Sequence, residues 1–327
     1  YYPRPLKYAP EMYPPISRVP NAWAFSWRVS DGAGRTKAVN TLTYPYLRNA
    51  AKRLVRENPA DLTASVHPLV NTTLARAMRQ APRPFITVVT DLVSTHAFWF
   101  DRRADLVVVP TEQARHKAIA YGIAEGNLRV IGLPVAQRFS EPLPDRAGWR
   151  AEHGWANDRP AVLLLSGGDG MGPVKRVAKA INEARLPLSL VVICGRNADL
   201  REDLEQVDWQ IPVHLYGFTD KMPEFMAAAD VAVTKAGPGT ISEAFIAGLP
   251  IILYARLAGQ EDGNVSYVVE QGAGVWAPRP REVVDTLRGW VEHPEALAAA
   301  SAASRRVARP DAARQIARLI ADQVGIS

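Results

Sequence analysis

Residues 233–264 read VTKAGPGTISEAFIAGLPIILYARLAGQEDGN. Gly237, Gly239 and Thr240 follow a short apolar strand (231–234). A helix then starts at Thr240, with Ser242 and Glu243 in its first turn. Such a unit sets backbone N–H groups and a positive helix end at the carboxyl edge of a parallel sheet, where phosphates sit in open α/β folds. Gln260, Glu261 and Asn264 come just past the next strand (251–253), and amide and carboxylate groups of this kind recognise sugar hydroxyls. A second glycine loop, Ser166-Gly167-Gly168-Asp169-Gly170-Met171-Gly172, separates strand 161–165 from a helix with Pro173 at its first position. Pro173 and Val174 stand where a Walker A loop has Lys and Ser/Thr, which argues against NTP hydrolysis. Pro173 also occupies the last glycine position of GxGxxG, which argues against NAD. What remains is a loop cradling a nucleotide diphosphate through its N–H groups, or a plain strand-to-helix turn. Arg196, after strand 188–194, either meets a phosphate or carboxylate or is a solvated loop arginine.

The first half offers three weaker candidates. His67 ends strand 62–66, Asp91 ends strand 85–90, and His96 follows before Trp99 and Phe100. A side chain at such a strand end could orient an acceptor or deprotonate an incoming hydroxyl. A loop histidine bonded to backbone is the other reading. HExxH, paired CxxC and DxD patterns are lacking, so neither a metal nor another cofactor is expected.

KAGPGTISEAFIAGLPII followed by GQEDGNVSYVVEQGAG resembles the donor-binding region of the monogalactosyldiacylglycerol synthases and processive diacylglycerol glucosyltransferases. These belong to glycosyltransferase family 28, as does the peptidoglycan lipid-intermediate N-acetylglucosaminyltransferase. TDLVSTHAFWF and the VIGLPV segment at 130–135 resemble the same family. The resemblance implies an α/β protein with two Rossmann-like domains facing across a cleft (GT-B). The implied activity is inverting transfer of galactose or glucose from UDP-galactose or UDP-glucose to diacylglycerol, making a membrane glycolipid. It implies UDP binding by Gly168, Asp169, Gly170, Met171, Arg196, Phe218, Thr219, Gly237, Gly239, Thr240 and Glu243. Within that set the Phe218-Thr219 main chain would read uracil and Glu243 the ribose hydroxyls. Compensation of the helix dipole is the other reading of Glu243. Gln260 and Glu261 match the positions that hold the hexose, and Asn264 would order their loop. The family's general base is a histidine in a glycine-rich loop upstream of such a segment. No such loop is found from Tyr1 onward, so the chain is expected to lack it, and His67, Asp91 and His96 are not assigned that role. The competing readings are N-acetylglucosaminyl transfer to a polyprenyl-linked precursor, a UDP-sugar 2-epimerase, and a non-catalytic UDP-sugar-binding subunit attached to a membrane.

The elements that must position these residues follow from length and pattern. For 327 residues two domains are the prior. Strands alternate with helices at the spacing of parallel sheets. The reading is residues 1–140 for an acceptor domain, 141–308 for a UDP-sugar domain, and 309–327 for a helix crossing back to the first. The linker falls around 132–144. Residues 1–150 carry 21 Lys/Arg against 11 Asp/Glu, while 151–327 carry 18 against 22. The basic half, with rings and cations interleaved over residues 1–31, suits an anionic membrane surface. Packing of those rings on the domain core is the other reading. Nucleic acid is not expected, because RRM, KH and OB patterns are lacking. A peripheral place on the cytoplasmic membrane face is expected. The single cysteine, Cys194, excludes an internal disulfide framework.

Overall fold

The computed structural model describes residues 20–143, 145–166 and 172–325. The chain divides into two units. The first holds the described residues through Pro134, Leu257–Gly263 and the helix-bearing segment from Asp311; the second holds Val135–Arg256 and Asn264–Pro310.

The first unit opens with helices α1 (Pro20–Ser30) and α2 (Ala33–Glu57). Then come β1 (Thr63–Ser65), α3 (Asn71–Ala77), β2 (Phe85–Val88), β3 (Leu106–Val109), α4 (Glu112–Ala120) and β4 (Leu128–Val130). The strands pair in parallel in the order β1-β2-β3-β4. Because β2 and β3 are covered on both faces, every one of their residues is buried and apolar except Thr87. Of residues 1–31, for which no regular element is expected, Pro20–Ser30 are helical. Pro20 fits a first helical position, and Trp23 and Trp27, four residues apart, fall on one face with ring centroids 6.4 Å apart. Residues 1–19 lie outside the described residues.

The second unit contains α5 (Arg146–Glu152), β5 (Ala161–Leu165), α6 (Val174–Glu183), β6 (Ser189–Ile193), α7 (Ala198–Glu205) and β7 (Val213–Tyr216). It continues through α8 (Met222–Ala228), β8 (Val231–Lys235), α9 (Pro238–Ala247) and β9 (Ile251–Ala255). Helix α10 (Asp262–Glu270), β10 (Gly274–Trp276), α11 (Pro280–Glu292) and α12 (Pro294–Val307) follow. All six strands are parallel in the order β10-β9-β8-β5-β6-β7. Numbered within the unit this is the doubly wound order, and the direction of winding reverses between β5 and β8. Helix α6 buries Val174, Val177, Ala178 and Ile181 on the sheet's core, where Cys194 is fully buried as well.

The last helix, α13 (Ala312–Gln323), belongs to the first unit. Its Ile316 packs with Ile86, Val88, Leu106 and Val108. Four local readings need correction. Helix α9 starts two residues early, because Pro238 supplies a preset φ at the first turn. Pro173 is the residue before α6, with φ −81° and ψ 42°, not its first helical position. Asp220, an acceptor just ahead of α8, does not cap it: no side chain among the described residues does, and the Thr219 hydroxyl accepts from Lys221 N at 3.1 Å in the turn before the helix. Strand β10 went unread because three residues after Gly272-Ala273 give no alternation to follow. Among the described residues, no helix is long and apolar enough to cross a membrane.

Candidate functional site

The winding reversal puts the carboxyl ends of β5 and β8 side by side in the second unit. A cavity of about 130 Å³ lies there, lined by Ser166, Gly195, Phe218, Thr219, Thr240 and Glu243 among others. Ser166 ends β5, and its hydroxyl donates to Ile193 O at 2.8 Å, tying the strand end to β6. Beyond it, Gly168, Asp169, Gly170 and Met171 lie outside the described residues. Chain geometry resumes at Gly172, whose φ of 101° favours glycine.

After β8 the chain turns through Ala236-Gly237 into α9. Among the described residues no side chain caps that helix, so the N–H groups of Gly239 and Thr240 are open at the edge, whereas Gly237 N donates to Lys235 O at 2.8 Å. Neither Gly237 nor Gly239 has a positive φ. A Cβ added at Gly239 meets nothing within 4 Å, so the missing side chain leaves open space before the helix end. Asn264, only 1% exposed, donates from Nδ2 to Ala236 O at 2.9 Å and so pins the turn.

Glu243 stands one turn into α9, half-buried on the cavity wall. Burial raises its carboxyl above the usual range, opposed by the charge of Arg138. It has no hydrogen-bond partner among the described residues. A carboxylate so placed is an acceptor awaiting donors. Arg196 is not free: its guanidinium lies 4.7 Å over the Phe218 ring, a cation–π contact. Phe218 itself is 64% exposed at the cavity mouth. Together the site offers a flat-sided pocket, helix-end N–H donors and an unpaired carboxylate. These suit a base, a diphosphate and a vicinal diol.

The first unit treats its candidates differently. His67 is exposed beyond β1. His96 is buried, and its Nδ1 accepts from Phe98 N at 3.1 Å, which leaves the proton on Nε2, 3.1 Å from Ser30 Oγ. Burial pushes its pKa down to about 4. Trp27 meets its ring edge-on at 4.8 Å and Phe98 stacks at 4.6 Å, so it is a neutral, structural histidine. Asp91, 8% exposed, accepts from Trp99 Nε1 at 2.7 Å and from Gln260 Nε2 at 3.2 Å. Burial raises its carboxyl, and those two donors oppose the rise.

Gln260 and Glu261 count with the first unit. Glu261 is 3% exposed, and its Oε2 accepts from Leu257 N at 2.7 Å, closing its own loop. Gln260 Oε1 is buried without a partner among the described residues. Asp31 was not foreseen. It accepts from Ala97 N at 2.8 Å and Tyr121 Oη at 3.2 Å, and pairs with Lys117 at 3.3 Å. Burial alone would raise its carboxyl, but the Ala97 N–H and Lys117 outweigh it and hold it low. Nothing in the sequence signals partners so far away along the chain.

Residues 1–135 match the family model described as monogalactosyldiacylglycerol (MGDG) synthase, and residues 172–316 match the glycosyltransferase family 28 C-terminal domain. The probable monogalactosyldiacylglycerol synthase of Nicotiana tabacum is 38% identical over 325 residues, covering 92% of this chain and 61% of the relative. Monogalactosyldiacylglycerol synthase 1 of Arabidopsis thaliana is 39% identical over 281 residues, covering 82% and 52%. The chain thus spans only half to three fifths of the length of these relatives. Among solved structures, Acinetobacter baumannii MurG aligns with TM-score 0.63 at 16% identity, covering 86% of this chain and 79% of that one. The S. aureus MnaA–UDP structure aligns with TM-score 0.66 at 14% identity, covering 88% and 82%. At such identities these two show the fold alone, that of the GT-B proteins. Matched along both of its units, the chain belongs to the monogalactosyldiacylglycerol synthase family of the family 28 glycosyltransferases.

Proposed function

We propose that this protein transfers a hexose, galactose ahead of glucose, from its UDP-sugar to the 3-hydroxyl of diacylglycerol with inversion, releasing UDP. The observation that carries the reading is Glu243: a half-buried carboxylate with no partner among the described residues, in a cavity at the winding reversal beside an uncapped helix end. Its oxygens would accept from the 2′- and 3′-hydroxyls of ribose. The Phe218-Thr219 main chain would read uracil, with Arg196 over Phe218 at the base end of the pocket. N–H groups of Gly239 and Thr240 would hold the diphosphate, joined on sequence grounds by Gly168, Asp169, Gly170 and Met171, while Gly237, whose N–H already donates to Lys235 O at 2.8 Å, would shape the turn. As the leaving diphosphate gains charge, the helix dipole and those donors stabilise it without reorganising. Gln260 and Glu261 would take hexose hydroxyls, and Asn264 acts at one remove by pinning the turn before α9. The relatives' names, which print monogalactosyldiacylglycerol synthase, support galactose as the sugar and diacylglycerol as the acceptor.

An acceptor with two acyl chains stays in its bilayer, so the enzyme must come to it. The proposed place is peripheral, on the cytoplasmic face of an anionic membrane. Arg28, Phe25 and Val29 support it, all exposed on α1. Labelled UDP-galactose, UDP-glucose and UDP-N-acetylglucosamine, each presented with diacylglycerol vesicles, test the reaction. Labelled monogalactosyldiacylglycerol is the expected product. If calorimetry gives no heat with any uridine nucleotide, the reading is overturned.

A further inference from the structure

We infer that Asp91 is a positioning residue for the donor hexose: it fixes the side-chain amide of Gln260 so that Gln260 Oε1 points away from the carboxylate and is kept as the hydrogen-bond acceptor for a sugar hydroxyl. The inference rests on the proposed hexose role of Gln260 and adds to it a direction of hydrogen bonding and the residue that sets it.

Three observations within the first unit carry it. Asp91 Oδ2 accepts from the indole N–H of Trp99 at 2.7 Å, and Trp99 is 1% exposed, so the carboxylate is held on one side by a group that can only donate. Asp91 Oδ1 faces the Gln260 amide at 3.2 Å. An ionised carboxylate only accepts, so the amide must turn its NH2 toward Asp91 and its oxygen away. That oxygen, Oε1, is buried without a partner among the described residues. A buried acceptor in this state is unfavourable until a donor arrives, which is the condition of a ligand-facing atom. Hexose hydroxyls supply such donors. The loop backbone is fixed as well. Gly259, at φ 88°, lies against Trp27, whose ring a Cβ would meet at 2.9 Å, and Gly263 N donates to Ser94 Oγ at 2.8 Å.

The test inverts the hydrogen-bond polarity and then restores it. In Asp91→Asn the amide oxygen must answer Trp99, which leaves NH2 facing residue 260. Gln260 then turns its own oxygen inward and presents NH2 to the sugar. Asp91→Asn should weaken UDP-galactose binding by up to about tenfold, because the hydroxyl that donated to Oε1 must turn to accept from the NH2 and loses the acceptor for its own proton. Binding of UDP, which has no hexose, should be unchanged. Adding Gln260→Glu to Asp91→Asn restores an outward acceptor, because one carboxylate oxygen takes the Asn N–H and the other faces the ligand. The double variant should recover most of the lost UDP-galactose affinity; a merely structural role for Asp91 predicts no such rescue. Equal loss of UDP and UDP-galactose affinity in Asp91→Asn, or a double variant no better than the single one, overturns the inference. If Gln260→Ala leaves UDP-galactose binding intact while UDP still binds, the hexose role of Gln260 fails and the inference with it. No UDP binding by the unaltered protein would overturn the donor site itself. Should Asp91→Asn not fold, side-chain amide exchange in 15N-glutamine-labelled protein gives an independent answer. Gln260, assigned by its loss in Gln260→Ala, should show one slowly exchanging amide proton, and fast exchange of both protons overturns the inference.

Discussion

At the carboxyl edge of the second unit's sheet, among the described residues, Glu243 lacks a hydrogen-bond partner and no side chain caps α9. At the matching edge of the first unit, Asp31, Asp91 and His96 each have two or more partners. Both edges are rich in polar and titratable groups, so composition does not separate them. For the titratable groups the difference lies in whether the fold itself satisfies them; in the first unit it is the neutral Gln260 Oε1 that is left without a partner among the described residues. Where it does, they order loops. Where it does not, as at the half-buried Glu243, the structure leaves an acceptor that a ligand's donors can take over from solvent. The pattern supports nucleotide recognition by the second unit and explains why the best-looking titratable residues of the first are poor candidates for proton transfer.

The comparison breaks most visibly with pH. His96 has an ordinary pKa of 6.5 that burial lowers to about 4 in the folded chain. The unfolded chain therefore binds a proton first as pH falls. This contribution is complete above about pH 6.5 and is lost toward about pH 4, by up to roughly 3 kcal/mol. Denaturant melts across that window should show the fall, and His96→Gln should flatten it. A flat profile in the unaltered protein would mean that His96 is not held neutral.

Glu243→Ala is the complementary case. UDP affinity should drop by about 1.5–3 kcal/mol, the worth of a charge-assisted hydrogen bond, with no loss of thermal stability. Undiminished calorimetric affinity would remove Glu243 from the site. Asp31→Ala should do the reverse, costing about 1–3 kcal/mol of stability while UDP binding stays as it was. A variant that lost both equally would deny the division between the two edges.

The smallest effect is expected at Gly239. An Ala there finds open space, so stability should be unchanged or improved by up to about 1 kcal/mol from helix propensity. UDP binding should weaken by no more than about tenfold, because the new methyl stands before the helix-end donors. Tighter binding would show that the diphosphate does not approach α9 at this point.

Much of this was legible from local pattern. Strands β3 and β5 begin and end where their apolar runs do, because a strand buried on both faces must be apolar throughout. The place of Glu243 early in a helix was legible because the glycine turn ahead of it announces a helix end. Helix α1 was hidden by the mixture of rings, cations and prolines over residues 1–31, which shows no helical period. Thr219 and Asp220 are adjacent and both are good acceptors, yet neither caps α8, because the backbone turn through Lys221 directs the Thr219 hydroxyl to Lys221 N.

The sequence by itself determined the parallel α/β architecture, the family and the position of the glycine turn before α9, because these follow from periodicity and from short contiguous motifs. Only the tertiary structure decided which polar groups are satisfied. Asp31 meets Lys117 and Tyr121, Asp91 meets Gln260, and His96 meets Ser30 across stretches of chain that local pattern cannot bridge. A carboxylate's chemistry depends on the donors within about 3 Å of it, and folding, not spacing along the chain, brings them there.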